Sequence, residues 1–428
     1  MKFAFVTPRY GGDIPSGAEH ACRLLAEQVC ERHDVDVLTT CARDPRTWKN
    51  DYGEGSDRVR GVLVRRFPVS QPHEREAFRQ FSAQLFAGVP GRAEELEWVR
   101  RLGPWSPSLI EFIKRQQKSY DAFVFFSLYH ATTVHGLGVA PDRSILFPYL
   151  RLDPALRLGL WRDVLSSAKA LGYVSAAERR LTRGYVRLQP PAEEVVGIGI
   201  DAAQQQTYPR HQQDPADNVV ADEDEDEAAA DDDSATATPD YLAGRGVLFR
   251  RRHRLYGSFA LYGGRVEPDN GCEEMLEYFD TYAAADANTA LVLMGVKMLR
   301  IPDERYIRMA GVLPERERMV AYEAAEVTLA PPSDDLLAES LLQSLAVGTP
   351  VLAAARNEAA VEHIRRSNGG LYYANREEFA EGLHLLMSNT RLRERLGENG
   401  RQYVRQHHQW DAVLARFDRL ASRVRARS

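Results

Sequence analysis

The chain has 428 residues, of which 44% are hydrophobic and 27% charged, and its formal net charge is −6. That length suits two domains, and no apolar run approaches the ~20 residues that cross a bilayer. The acidity comes from one stretch, Asp222–Asp233, whose nine acids leave the remainder slightly positive, so global charge points to neither nucleic acid nor membrane.

The opening, MKFAFVTPRYGG, has an apolar core of only Phe3–Val6 before Arg9. This is shorter than the roughly 7–15 residues of a secretory leader, and a cytoplasmic protein is expected. The run up to Pro8 reads as a buried strand, RYGGDIPSG as a turn-rich loop, and GAEHACRLLAEQVCERH as a helix with apolar positions at Ala21, Leu24, Leu25 and Val29. Val35–Thr40 is a second strand, which completes the opening βαβ unit of a doubly wound sheet. Further strands are predicted at Ala122–Leu128, Arg143–Phe147, Ala170–Ser175 and Glu194–Ile200, with a helical pattern at Leu109–Lys118. The four cysteines, Cys22, Cys30, Cys41 and Cys272, show neither metal-site spacing nor a disulfide framework.

Gln204–Asp240 has few large apolar groups and is expected to be a disordered insertion. Regular patterning resumes with the apolar run Ser258–Gly264, a helix Cys272–Tyr282, and strands at Ala290–Gly295, Ile307–Val312 and Glu326–Pro332. A helix Ala338–Val347 and the strand TPVLAAA follow. The tail from Arg376 reads as helices broken at GENG (Gly397–Gly400) and near Gln406–Asp411. The expected architecture is α/β, with two Rossmann-like doubly wound domains facing a cleft. Residues 1–202 would form the first domain, 203–246 a linker with the acidic insertion, and 247–405 the second domain. A helix at 406–428 would pack back on the first domain.

Two loops suit anions. Gly11, Gly12, Ser16 and Gly17 open the first helix, where free backbone N–H groups and the helix dipole favour negative charge; a plain βα turn fits the same spacing. In YGGRVEPDNG (Tyr262–Gly271) a buried strand ends in a loop shaped for phosphate, yet it has a single cation, Arg265, with Glu267 and Asp269 close behind.

Several pieces in this order, RYGGDIPSGAEHACRLLAE, LYGGRVEPDNGCEEMLEYF, MAGVLPERERMVAYEAAEVTLAPPS and AESLLQSLAVGTPVLA, resemble the GT-B nucleotide-sugar glycosyltransferases, specifically the retaining family-four group. RRSNGGLYY and the QWD near the end also fit. The resemblance spans nearly the whole chain apart from the acidic stretch. It implies that Gly12 and Gly17 lie at the cleft, near the sugar diphosphate and the acceptor. It places Arg265 on the diphosphate and puts Asn270 where the family has a lysine. With Gly348-Thr349-Pro350 fixing the register, Asp335 and Gln343 stand where the family has two glutamates, with Glu339 available nearby. The base would lie near Val312 and Leu313, and the diphosphate near Ser340 and Leu341. The family's His-Asp-Glu-Pro run becomes Arg151, Leu152, Asp153 and Pro154, so its histidine is absent. His130 and His135 are the substitutes at hand, each more readily read as a structural histidine.

The resemblance therefore implies metal-independent, retaining transfer from a nucleoside-diphosphate sugar, without a further cofactor. The acceptor would be a glycan, a lipid-linked sugar or a protein, and the location cytoplasmic or peripheral to the inner face of a membrane. The altered positions leave a second reading open: an inactive relative that serves as partner of another glycosyltransferase. An epimerase or phosphorylase is disfavoured, because the pyridoxal lysine of a phosphorylase has no counterpart except Lys297 near the second-domain core.

Overall fold

Phe3, Ala4, Phe5 and Val6 are all wholly buried in the strand Lys2–Val6, as expected where helices cover both faces of a parallel sheet. The computed structural model describes residues 1–428 except 13, 15–16, 151–153, 186–191, 201–238, 287, 334–335 and 426–428. The insertion expected at 204–240 thus lies outside the described residues, apart from its last two.

The first domain runs β1 (Lys2–Val6), α1 (Ala18–Cys30), β2 (Asp34–Thr40), β3 (Gly55–Val59), β4 (Val62–Phe67), α2 (Arg75–Ala87), α3 (Arg92–Leu102), α4 (Pro107–Gln116), β5 (Ala122–Phe126), α5 (Ala131–Val139), β6 (Ser144–Phe147), α6 (Leu160–Ser167), β7 (Ala170–Tyr173), α7 (Ala176–Tyr185) and β8 (Glu193–Val195). Its sheet has the order β3-β4-β2-β1-β5-β6-β7-β8 and is parallel except for β3. The second domain runs α8 (Pro239–Arg252), β9 (Phe259–Gly263), α9 (Cys272–Ala285), β10 (Ala290–Met294), β11 (Ile307–Gly311), α10 (Glu315–Ala324), β12 (Val327–Ala330), α11 (Glu339–Val347), β13 (Val351–Ala354), α12 (Glu358–Ser367), β14 (Gly370–Tyr373), α13 (Arg376–Ser388) and α14 (Thr390–His407). Its sheet order, β11-β10-β9-β12-β13-β14, is the doubly wound order with one reversal. The last helix, α15 (Trp410–Arg425), returns to the first sheet. There Phe417 lies against Phe3 and Phe5, with ring centroids 5.4 and 6.0 Å away.

The structure differs from the sequence reading in three places. The hairpin β3–β4 has no apolar alternation on its outer strand, GSDRV, which is exposed along nearly its whole length. The last strand of this sheet is Glu193–Val195, so only Glu194 and Val195 of the predicted Glu194–Ile200 fall in it; the rest runs on to the domain junction, where Ile200 N–H donates to His408 O at 2.7 Å. The helix α14 passes unbroken through GENG. A Cβ on Gly397 would collide with the carbonyl of Gly348, and one on Gly400 would press on Leu345. These glycines let α14 approach the end of α11 closely, a packing use that looks like a break in sequence.

The domains share one apolar cluster, with Ala21, Val174 and Ile198 from the first and Leu337, Leu341 and Leu345 from the second. Arg180 on α7 pairs with Glu362 on α12 at 3.1 Å. Beside it, His363 Nδ1 and His408 Nε2 both meet the Tyr403 hydroxyl, at 2.9 and 3.3 Å, and His408 Nδ1 reaches Ile198 O at 3.1 Å. Burial pushes the His363 imidazole down to about 4, helped by Arg366, and burial likewise holds His408 well below its ordinary value. Both rings are thus neutral when folded and would gain protons on unfolding below pH ~6.5. Their stabilisation is complete above that pH and is lost as pH falls toward 4. The thermal midpoint should therefore drop between pH 6.5 and 4. His363→Asn should reduce the proton uptake on unfolding by roughly one across that window, measured by denaturation at a series of pH values.

Candidate functional site

Open parallel sheets bind ligands beyond the carboxyl ends of their strands, where the strand order reverses. The reversals fall between β1 and β5 in the first sheet and between β9 and β12 in the second. The loops leaving these strands include the two loops that the sequence marks for anions.

After β9, the chain forms a tight loop closed by Gly271, whose φ of 64° is left-handed and whose Cα abuts Pro332 in the loop after β12. A side chain there would strike the Pro332 carbonyl, so glycine is required on both counts. Asn270 ties the two loops together. Its Nδ2 donates to Arg265 O at 3.0 Å and to Glu267 Oε1 at 3.1 Å, and its Oδ1 accepts from the Ser333 hydroxyl at 3.1 Å. The exposed Arg265 turns onto Glu267, with N–O 3.0 Å. Within this loop, then, the single guanidinium is matched by a carboxylate and the amide of Asn270 is occupied internally.

The second anion feature is the start of α11. Ala338 precedes it with φ 51°, a left-handed conformation unusual for alanine, and offers no side chain to cap the helix. The N–H groups of the first turn receive no side-chain cap from Ala338. Glu339 stands at this start, with its side chain 13% exposed. It meets His20 of α1 across the cleft, Nε2 to Oε1 3.4 Å, and accepts from Gln343 Nε2 at 2.9 Å. His20 is almost fully buried. Its Nδ1 lies 3.2 Å from an Arg23 N–H and 3.3 Å from Ile14 O. Burial pushes the Glu339 carboxyl up, but His20, Arg318 and Arg23 outweigh it and hold the group below the usual carboxylate range.

Around this centre, Arg9 after β1 pairs with Glu19 at 3.0 Å. His130 directly precedes α5 without capping it, with Nδ1 2.9 Å from the Ser127 hydroxyl. His135 packs edge-on to Trp105 at 4.8 Å, and burial depresses its pKa. The loop after β6 is pinned by Glu178, a fully buried carboxylate accepting from Leu150 N–H at 3.2 Å and Val174 N–H at 2.8 Å, with its pKa raised to about 7 by burial.

The structure thus gathers Arg265, Asn270, Glu339, Ser340 and Gln343 at the carboxyl edge of the second sheet. Gly12 and Gly17 stand exposed on the opposing loop. Leu341 is buried in the cluster shared by the domains. Val312 is exposed just beyond β11, and Leu313 packs beneath α10. Ser16, Arg151, Leu152, Asp153 and Asp335 lie outside the described residues. Sequence reasoning missed His20, Arg23 and Arg318. His20 sits in the quoted GAEHACR segment, and its place one turn into the first helix was the available signal.

Residues 250–403 match the family described as glycosyl transferases group 1. Among solved structures, the sucrose-phosphate synthase of Thermosynechococcus elongatus is 15% identical with a TM-score of 0.65, and the match covers 100% of both chains. HepE of Anabaena, solved with UDP-glucose, is 13% identical with a TM-score of 0.66 over 100% of both chains. The trehalose 6-phosphate synthase of Burkholderia multivorans is 11% identical with a TM-score of 0.62 over 99% of each. The architecture is therefore that of the GT-B glycosyltransferases, two doubly wound domains about a cleft. The match to the group 1 glycosyl transferases itself covers residues 250–403. Among the described residues, no helix is long and apolar enough to cross a membrane.

The Gln343–Glu339 contact yields a direct test. Gln343→Glu would set two carboxylates together at a position only 5% exposed. Stability at pH 7 should fall by about 1–3 kcal/mol. One of the pair would titrate above its ordinary value, so its penalty grows as pH rises through that raised value and is relieved on acidification. Denaturant melts at pH 7 and pH 5 should show the deficit shrinking at pH 5.

Proposed function

We propose that the protein transfers a sugar, with retention of anomeric configuration, from a nucleoside-diphosphate sugar to an acceptor held by the first domain. The carrying observation is the convergence of the Arg265 loop and the uncapped start of α11 at the reversal point of the second sheet, joined by the Asn270–Ser333 hydrogen bond. A diphosphate placed there meets backbone N–H groups and a helix N-terminus, the usual means of holding phosphate. Breaking the bond between the sugar and the diphosphate leaves the electron pair on the phosphate oxygen, so groups that receive this growing negative charge lower the barrier. Arg265 is the exposed cation of the loop, and it must swing from Glu267 to the donor. The resemblance to the retaining family-four group supports retention. HepE, with UDP-glucose bound, makes uridine diphosphate sugars the first donors to try.

The test is a thermal-shift panel of UDP-, GDP- and ADP-sugars, followed by assays of donor hydrolysis and transfer. Ligand at ~100 times its Kd should add about 2.7 kcal/mol of stability. Arg265→Ala should lower turnover by ~10²-fold, on the scale of a single oxyanion donor, and Asn270→Lys should raise it. Proton NMR of the first-formed product should show the donor's anomeric configuration. Absence of both shift and turnover with every donor would overturn the proposal.

A further inference from the structure

Arg265 alone is a weak grip for a dianion, and the neighbouring positions supply an amide and two acids. The missing charge lies on a different element. We propose that Arg318, on α10, is the second cation of the diphosphate site, standing in for the charge that Asn270 lacks. This rests on the reading of the cleft as a nucleoside-diphosphate site.

Helix α10 joins β11 to β12, two strands of a parallel sheet. It therefore runs against the strand direction, and its first turns lie at the carboxyl edge where the ligand loops are. Tyr322 fixes its position. The ring is 1% exposed, its hydroxyl abuts Gly263 so closely that a Cβ on that glycine would collide with it, and the Ser340 side chain is in hydrogen-bond contact with it. Gly263 is the last residue of β9, directly before the phosphate loop, and Ser340 lies in the first turn of α11.

Arg318 is four residues before Tyr322, on the same face of α10. It sits one helical turn, about 5.4 Å, nearer the carboxyl edge. Its side chain therefore leaves α10 on the face that Tyr322 turns toward Gly263 and the first turn of α11. Arg318 Nε is sealed from solvent and has no hydrogen-bond partner among the described residues. A buried N–H of this kind ordinarily has an acceptor, and none of the described residues provides one. The charge of Arg318 is felt at Glu339, which agrees with the placement. The planar fork of a guanidinium also suits bidentate contact with phosphate oxygens better than an ammonium does.

The test measures binding by calorimetry of UDP, GDP and ADP, each against its own monophosphate and nucleoside, on the full chain. For the base that binds, Arg318→Gln should weaken the diphosphate at least tenfold and leave the nucleoside unchanged. Arg318→Lys should lose less. Asn270→Lys added to Arg318→Gln should restore most of the affinity, because the cation returns on the opposite side of the site. Arg318→Met, which keeps the apolar stem, serves the same comparison if the Gln variant does not fold. Wild-type binding with an unchanged Arg318 variant overturns this assignment alone. Failure of the wild type to bind any of the nucleotides overturns it together with the donor reading.

Discussion

Glu339 is the constraint around which the two domains meet. A carboxylate on the first turn of a short helix would ordinarily be solvated. Here it is nearly enclosed, and the groups that compensate its burial come from both sides of the cleft: His20 and Arg23 from α1, Gln343 from its own helix, Arg318 from α10. Taking any one away leaves a buried charge underpaired, which costs more than the pair is worth when intact. The same contact aligns α1 of one domain with α11 of the other. The apolar cluster around Leu341 and Ile198 supplies the bulk of the adhesion and the Glu339 contact its register.

Much of this was legible in the sequence, because doubly wound sheets write themselves as apolar runs at regular intervals. The βαβ opening, the strand before the Arg265 loop and the helix before Gly348-Thr349-Pro350 all stand where periodicity and turn residues place them. What failed did so for physical reasons. GENG reads as a helix end because glycine weakens helices, yet α14 keeps both glycines to approach the Gly348 carbonyl. The strand β3 is exposed and polar, so it carries no apolar signature at all. Local patterning records which residues are buried within one element. It does not record which backbone another element must touch.

The candidate site shows the same division. Arg265, Asn270 and Gln343 could be found because each sits in a loop or helix whose register is fixed by nearby glycines or Gly-Thr-Pro. His20 and Arg318 could not, since each lies in the first turns of a helix beside charged residues, ERERM in the second case. Only the three-dimensional path of α10, pinned by Tyr322 against Gly263, brings Arg318 to the same place as the phosphate loop. A count of cations made along one loop therefore understates the positive charge that converges on the cleft.

Part of the positive charge of the cleft is already matched without a ligand. Arg265 is paired with Glu267 and Arg23 with Glu27, while Arg318 Nε has no acceptor among the described residues. An incoming diphosphate does not fill an empty positive pocket. It competes with carboxylates for guanidinium groups, and each exchange trades one charge-assisted contact for another. The net gain per contact is then smaller than the strength of the new contact alone would suggest. On the proposed donor reading, a diphosphate that engages Arg318 draws on charge that also acts at Glu339, the residue that meets His20 across the cleft. Donor binding and the meeting of the two domains are on that reading coupled through one carboxylate.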